Sequence, residues 1–184
     1  EALSQPSSWV SGWNYNNRPV NWGYNCVTTN STYDYAVRDN KATLIKYKGS
    51  AANVNIPTTI DGYQVNDFGE TFKGNTSIVS IVIPDSVLTI FPSAFANCSA
   101  LTTVTIGNNV ETIGKEAFAG CKKLASLTIG NKVAIIGDGA FSDCSNLTNI
   151  YINDIVMWCN LQYEDSGEHL MKYGRTLYLS NNAI

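Results

Sequence analysis

The sequence predicts an α/β solenoid of mostly β structure, in which short strands stack along one axis. Two observations predict this fold. Residues 78–152 fall into register with themselves every 23 positions, and each copy contains an apolar–x–apolar segment that suits a strand with one buried face. One copy is too small to bury its apolar side, so stacked copies must share a continuous core. The four copies of the strand are Ile78–Ile83, Leu101–Ile106, Leu124–Ile129 and Leu147–Ile152.

The return segments between the strands repeat as well. Each regular one contains Ala-Phe-x-x-Cys, which places the two side chains three positions apart on one face of a helical turn. We therefore expect two ladders of buried side chains running along the solenoid. Their members are Phe72, Phe95, Phe118 and Phe141 in one, and Cys98, Cys121 and Cys144 in the other.

Residues 110–124 read Val-Glu-Thr-Ile-Gly-Lys-Glu-Ala-Phe-Ala-Gly-Cys-Lys-Lys-Leu, and residues 133–144 repeat the same pattern. Both segments closely resemble the BspA-type leucine-rich repeat, which is also called the Treponema pallidum type. The resemblance covers residues 33–184. It implies a right-handed solenoid with a parallel sheet on its concave side. It also implies a secreted or cell-surface bacterial protein with a role in adhesion and binding.

We divide the chain into an irregular N-terminal segment, residues 1–32, and a leucine-rich repeat domain, residues 33–184. The repeat domain would begin with a hairpin cap at residues 33–50. Its strands, Tyr33–Val37 and Ala42–Tyr47, flank an Asp-Asn pair that favours a tight turn.

Repeat coils, by which we mean single turns of the solenoid, would then occupy residues 51–173. We expect about five of them, with a largely irregular convex side. Residues 174–184 contain a strand pattern, Leu177–Leu179, that either starts a further coil or forms a terminal cap strand. We favour the further coil because an open strand edge invites pairing.

Composition excludes several classes of function. The net charge is −3 and there is no basic block, so neither nucleic acid nor an anionic membrane is an expected partner. No apolar run approaches the ~18 residues that a membrane-spanning helix needs, so direct membrane insertion is not expected. No signal sequence is recognisable, and Glu1 at the first position indicates a processed or trimmed chain.

The five cysteines are not expected to form disulfides. Cys98, Cys121 and Cys144 occupy equivalent positions of successive coils, where parallel Cβ vectors are poorly aimed for bonding. We interpret them as small buried groups with weak S–H donors to nearby backbone. Cys159 aligns with core isoleucines and is expected to be buried, several strand spacings away from Cys26.

The strongest candidate for metal binding or acid–base chemistry is His169 with Glu164, Asp165 and Glu168. We interpret this cluster as a solvated loop, because charged clusters usually face solvent and no metal-binding or catalytic motif accompanies it. A nucleophilic pair of Cys159 with His169 is discounted because Cys159 is expected to be buried. We therefore predict that the protein is not an enzyme and binds neither a metal nor a cofactor.

The candidate ligand-binding residues point outward from the concave sheet. The alternation predicts a small, hydroxyl-rich and nearly uncharged face that becomes aromatic at one end. Such a face suits shallow contact with protein or glycan, although threonine also favours strands and packs well in ladders for purely structural reasons. The candidates are Ser80, Val82, Thr103, Thr105, Ser126, Thr128, Asn149 and Tyr151.

The N-terminal segment is rich in aromatic residues, including Trp9, Trp13 and Trp22. These rings could stack on sugars, which would make the segment an alternative glycan-binding site. They could instead cover the first open coil, and we favour that interpretation because terminal repeats are atypical and act as caps.

The sequence therefore favours a non-enzymatic binding module, secreted or at a cell surface, that presents its concave face to a protein or glycan on a host or neighbouring cell. Carbohydrate binding through the N-terminal tryptophans is one alternative. A structural spacer within a larger surface protein is another. The oligomeric state is left open.

Overall fold

The computed structural model describes residues 27–164, 170–171 and 174–179. This part of the chain contains fifteen short strands and one helix. In chain order they are β1 Thr28–Thr29, β2 Tyr33–Arg38, β3 Lys41–Tyr47, β4 Asn53–Asn55, β5 Thr59–Ile60, β6 Tyr63–Phe68, β7 Ser80–Val82, β8 Thr89–Ile90, β9 Thr103–Thr105, β10 Thr112–Ile113, β11 Ser126–Ile129, β12 Ile135–Ile136, β13 Asn149–Ile152, α1 Ile155–Cys159, β14 Gln162–Tyr163 and β15 Thr176–Leu179.

The principal sheet is parallel and six-stranded, in the order β15-β13-β11-β9-β7-β4. Each strand comes from a successive coil, and the central residues line up across the sheet. The three central coils have the 23-residue period, whereas the coils at either end span 27 residues. The aligned central residues are Val54, Ile81, Val104, Leu127, Ile150 and Leu177.

The alternation in the sequence explains why these segments form strands. Ile81, Val104, Leu127 and Ile150 are at most 1% exposed, while the residues on either side of each are more exposed. A period of two therefore places one residue of each strand in the core. The arrangement confirms the prediction of a mostly β solenoid.

A second parallel sheet runs along the return segments, which were expected to be largely irregular. It is four-stranded, in the order β14-β12-β10-β8, and each of its strands has two residues. Thr112 pairs with Thr89 on one side and with Ile135 on the other. Coils of equal length bring equivalent backbone groups opposite one another, and pairing satisfies N–H and C=O groups that would otherwise lack partners.

The Ala-Phe-x-x-Cys segments form tight turns. The Cys98 N–H donates to the Phe95 carbonyl at 3.2 Å, and the Cys121 N–H donates to the Phe118 carbonyl at the same distance. The Phe95 N–H in turn donates across to Ala117 of the next coil at 2.8 Å. The phenylalanine and cysteine side chains are thus aimed into the core, as the sequence predicts.

The N-terminal end is closed by a five-stranded sheet in the order β1-β2-β3-β6-β5. β2 and β3 form the predicted hairpin, and both turn residues, Asp39 and Asn40, have positive φ (49° and 61°). This conformation matches the twist of the flanking strands. A second hairpin turns at Asp61 and Gly62, and places β6 parallel to β3, which was not expected.

The prediction that Cys159 is buried is wrong, because its side chain is exposed. A strict 23-residue alignment places Cys159 opposite Ile136, but the residue that pairs with Ile136 is Tyr163. The additional residues of this coil include α1. The Asp154 carboxylate caps this helix by accepting from the Val156 N–H at 2.7 Å and the Met157 N–H at 3.2 Å.

Candidate functional site: the outer face of the six-stranded sheet

The side chains that alternate with the core residues form two in-register rows on the other face of the six-stranded sheet. We call these twelve positions the outer face. All eight residues predicted from the alternation lie on it, brought together from four coils. One row is Asn53, Ser80, Thr103, Ser126, Asn149 and Thr176, and the other is Asn55, Val82, Thr105, Thr128, Tyr151 and Tyr178.

Four residues of the outer face were not among the predicted candidates: Asn53, Asn55, Thr176 and Tyr178. They lie on the first and last strands, where the coils have 27 residues and a search at the 23-residue period loses the register. The apolar alternation around Val54 and Leu177 is the signal that locates them, since both strands can be recognised without the period.

The outer face carries no formal charge. Amides and hydroxyls occupy nine of the twelve positions, and Val82, Tyr151 and Tyr178 occupy the others. The central positions are half-buried, while Val82 and Tyr178 are 40% and 41% exposed. The face therefore offers many neutral donors and acceptors together with some apolar surface.

Hydrogen bonding differs along the outer face. At the β4 end, the Ser80 hydroxyl donates to the Asn53 side-chain oxygen at 2.7 Å. Within residues 27–164, 170–171 and 174–179, no side-chain hydrogen bond engages the hydroxyls of Thr105 and Thr128 or the amide of Asn149. By contrast, the Thr102 hydroxyl, one position before the outer face, donates to the Val79 carbonyl at 3.0 Å. The central outer face thus keeps its polar groups available to solvent or ligand.

Tyr151 and Tyr178 form the aromatic end of the outer face. They occupy paired positions of β13 and β15, and their rings stack with centroids 4.9 Å apart and planes at 18°. Tyr151 also pairs in register with Thr128 on its other side. The face therefore changes abruptly from small hydroxyl side chains to a two-ring aromatic wall.

An open groove of about 320 Å³ lies along the C-terminal ends of β7, β9 and β11. Val82, Thr105 and Thr128 of the outer face line it on one side. Asp85, Asn108 and Asn153 line it from the segments that follow the strands, where the Asn108 N–H donates to the Asp85 carboxylate at 2.6 Å. The groove connects three coils and reaches the register position next to Tyr151.

A second open depression, of about 440 Å³, lies between β4 and the N-terminal hairpins. Asn30, Tyr33, Tyr47 and Asp61 line part of it. The Asp61 carboxylate accepts from the Tyr35 hydroxyl at 2.6 Å, and this hydrogen bond raises the pKa of Tyr35 to about 12. The carboxylate thus joins the second hairpin to β2, which is a structural role.

The thiols of the cysteine ladder hydrogen-bond to backbone. The sulfur atoms of Cys98, Cys121 and Cys144 donate to the carbonyls of Phe72, Phe95 and Phe118 at 3.1–3.2 Å. The neighbouring Cys98 thiol, together with burial, raises the pKa of the Cys121 thiol. The three side chains are buried, so these cysteines act as core groups, as predicted.

The remaining predicted chemistry has a mixed outcome. Trp9, Trp13, Trp22 and His169, with Asp165 and Glu168, lie outside the described residues. Cys159 is exposed, so burial of its thiol does not exclude a Cys159–His169 pair. Across the described ranges, no group of three histidine, cysteine or acidic side chains is placed to hold a metal ion. In that same part of the chain, no helix has the length and apolar character needed to span a bilayer.

Solved structures share this architecture. A leucine-rich repeat protein of T. pallidum aligns at 25% identity with a TM-score of 0.64, over 74% of this chain and 63% of its own. A leucine-rich repeat protein from Bacteroides capillosus aligns at 28% identity with a TM-score of 0.62, over 70% of this chain and 99% of its own. A leucine-rich cell surface protein of Faecalibacterium prausnitzii aligns at 28% identity with a TM-score of 0.52, over 69% of this chain and 45% of its own.

This chain therefore spans less than two thirds of the T. pallidum and F. prausnitzii proteins. No curated protein matches its sequence. Residues 66–160 match the BspA-type leucine-rich repeat region in six copies, which agrees with the resemblance in residues 110–124 and 133–144. The chain belongs to the BspA-type leucine-rich repeat family.

Proposed function

We propose that this protein is a non-enzymatic binding module, displayed at a cell surface, that contacts a protein or glycan on a host or neighbouring cell through its outer face. The observation that carries this proposal is the uncharged double row of the outer face, whose central polar groups make no side-chain hydrogen bonds within the described residues. Polar groups without an intramolecular partner of this kind lose little free energy when a ligand replaces the water that solvates them.

The solenoid itself supports the proposal. Stacked coils create an extended surface of regularly spaced side chains, which is the kind of surface that repeat proteins use for binding. Family membership and the F. prausnitzii cell surface protein support the location. The outer face has small side chains over most of its length, so we expect a broad contact with Tyr151 and Tyr178 as its principal anchors.

The test is binding of the purified chain to arrays of immobilised glycans and extracellular proteins. Thr105→Arg places a long charged side chain in the middle of the outer face and should weaken binding at least about 10-fold, or about 1.4 kcal/mol. Thr112→Arg is the matched control, because Thr112 lies in the same coil but on the four-stranded sheet.

Both variants should unfold within about 4 °C of the parent chain, which a thermal melt can establish. Equal loss of binding in both variants would contradict the outer face as the contact surface. Absence of binding to either array would favour the structural spacer.

A further inference from the structure

We propose that the ligand of the outer face is a neutral oligosaccharide, one sugar ring of which packs against Tyr151 above Thr128. This inference rests on the proposed function and names the class of ligand for the same surface. It depends on the position of the tyrosine stack, on the polar groups beside it and on the charge of the groove.

The Tyr151 ring has two unequal faces. One is covered by Tyr178, whose ring centroid lies 4.9 Å away. The other is directed toward β11, where the neighbour in register is Thr128 rather than a third aromatic residue. A threonine side chain is far smaller than a tyrosine ring, so the Tyr151 ring projects above Thr128 on this side. An aromatic ring with one open face is suited to packing against a flat, partly apolar partner.

A sugar ring fits this description because it is apolar on its C–H faces and carries hydroxyl groups around its edge. Hydroxyl and amide side chains surround the proposed position: Thr128 forms the floor, Asn149 lies two residues before Tyr151 on the same face, and Asn153 lies two residues after it. Amide side chains both donate and accept hydrogen bonds, as sugar hydroxyls do. The hydroxyl of Thr128 and the amide of Asn149 make no side-chain hydrogen bonds within the described residues.

The groove beside the wall extends the contact to more than one sugar. It runs from Thr128 past Thr105 to Val82, with a volume of about 320 Å³, near the lower end of the range for small-molecule sites. Its open form suits a chain of sugars lying across the strands, while Tyr151 holds one ring at the end.

The charges on this surface favour a neutral ligand. The outer face has no charged side chain to pair with an anionic sugar, and the one carboxylate that lines the groove, Asp85, would repel it. Protein partners commonly bind through large anchors and charged pairs. The central outer face offers neither.

The test begins with an array of neutral and anionic glycans probed with the full chain, and continues with titration calorimetry on the tightest-binding neutral oligosaccharide. Tyr151→Ala should weaken binding at least about 10-fold. Tyr151→Phe keeps the ring and should stay within about 3-fold of the parent chain. Thr112→Arg, away from the outer face, should leave the affinity unchanged.

The two proposals fail in different ways. Binding only to anionic glycans or to an enzymatically deglycosylated protein, still lost in Thr105→Arg, would overturn the oligosaccharide assignment and keep the outer face as the contact surface. Binding to a neutral oligosaccharide that survives Thr105→Arg and Tyr151→Ala would overturn both. If Tyr151→Ala lost affinity only at temperatures near a lowered Tm, and bound like the parent chain where it is fully folded, the ring would merely stabilise the fold and the assignment would be overturned.

Discussion

Phe95 and Phe118 stack in the core with ring centroids 5.0 Å apart and planes only 5° apart. Tyr151 and Tyr178 stack at 4.9 Å on the surface of the same solenoid. Both separations are close to the ~4.8 Å between neighbouring strands, because in-register coils place identical positions one strand apart. A repeated aromatic residue therefore becomes a ladder wherever it points, inward or outward.

The first prediction concerns the stability that this core ladder supplies. Phe118 is fully buried and stacks on Phe95 and Phe141. Phe118→Ala removes a ring from the middle of the ladder and leaves a cavity between two coils. We expect the free energy of unfolding to fall by about 3–5 kcal/mol in chemical denaturation.

Leu88→Ala is the control for this variant, since Leu88 is 53% exposed and its truncation should change stability by less than about 0.5 kcal/mol. Similar losses in the two variants would mean that Phe118 does not occupy the core.

The second prediction concerns cysteine reactivity. Cys98, Cys121 and Cys144 are buried and donate to backbone carbonyls, whereas Cys159 is exposed at the end of α1. Thiolates react with alkylating reagents, and burial suppresses their formation. In native Cys26→Ser protein, mass spectrometry after brief iodoacetamide treatment should therefore find a single modified cysteine, at Cys159.

Under denaturing conditions the same variant should take up four labels. Native modification of Cys121 would contradict its position in the core, because its raised pKa and burial both oppose reaction.

Sequence periodicity predicts the centre of the solenoid well and its ends less well. The pairing of Ile81, Val104, Leu127 and Ile150 follows from the 23-residue period, because equal coils leave only one register that buries every apolar side chain. The hairpin turn at Asp39 and Asn40 is also predictable, since these residue types tolerate positive φ.

The differences between the structure and the prediction from periodicity have physical causes. The last coil is four residues longer than the period, so an alignment by period misplaces Cys159. Asp154 ahead of an apolar run is a local helix-start signal that could have revealed α1. The pairing of β6 with β3 joins segments from outside the repeat, and no periodicity reports such a contact.

In the candidate site, the Tyr151–Tyr178 stack is likewise only partly predictable from the sequence. The outward direction of Tyr151 and of Tyr178 follows from alternation, but the pairing of the two residues depends on the 27-residue spacing of the last coil. The free side of its ring depends on what lies beside it, which is a property of the assembled sheet.

The third prediction concerns close backbone packing between coils. A Cβ atom added at Gly130 would fall against the carbonyl oxygen of Gly107, which is backbone and cannot move aside cheaply. Gly130→Ala should therefore destabilise the protein by about 1–3 kcal/mol in chemical denaturation, as overpacking does. Gly69→Ala is the matched control, because an added Cβ there meets nothing within 4 Å. Equal stability of the two variants would exclude tight coil packing at Gly130.

The fourth prediction concerns stability at alkaline pH. Burial raises the pKa of Tyr33 and Tyr163 to about 12, and the hydrogen bond to Asp61 raises the pKa of Tyr35 to about 12. In the unfolded chain a tyrosine loses its proton near pH 10. Between these values the unfolded state binds fewer protons than the folded state, so stability falls as pH rises. The contribution is fully present below about pH 10 and is lost as pH rises through about 12.

Ultraviolet absorbance of tyrosinate measures the pKa of these tyrosines directly. Subtracting the titration of Tyr35→Phe from that of the parent chain isolates one phenol, because the substitution removes the Tyr35 hydroxyl and keeps its buried ring. The difference curve should have its midpoint near pH 12 while the protein remains folded, and circular dichroism at each pH checks that condition. A midpoint near pH 10 in folded protein would mean that the Tyr35 hydroxyl does not donate to Asp61, and that the second hairpin is held to β2 by other contacts.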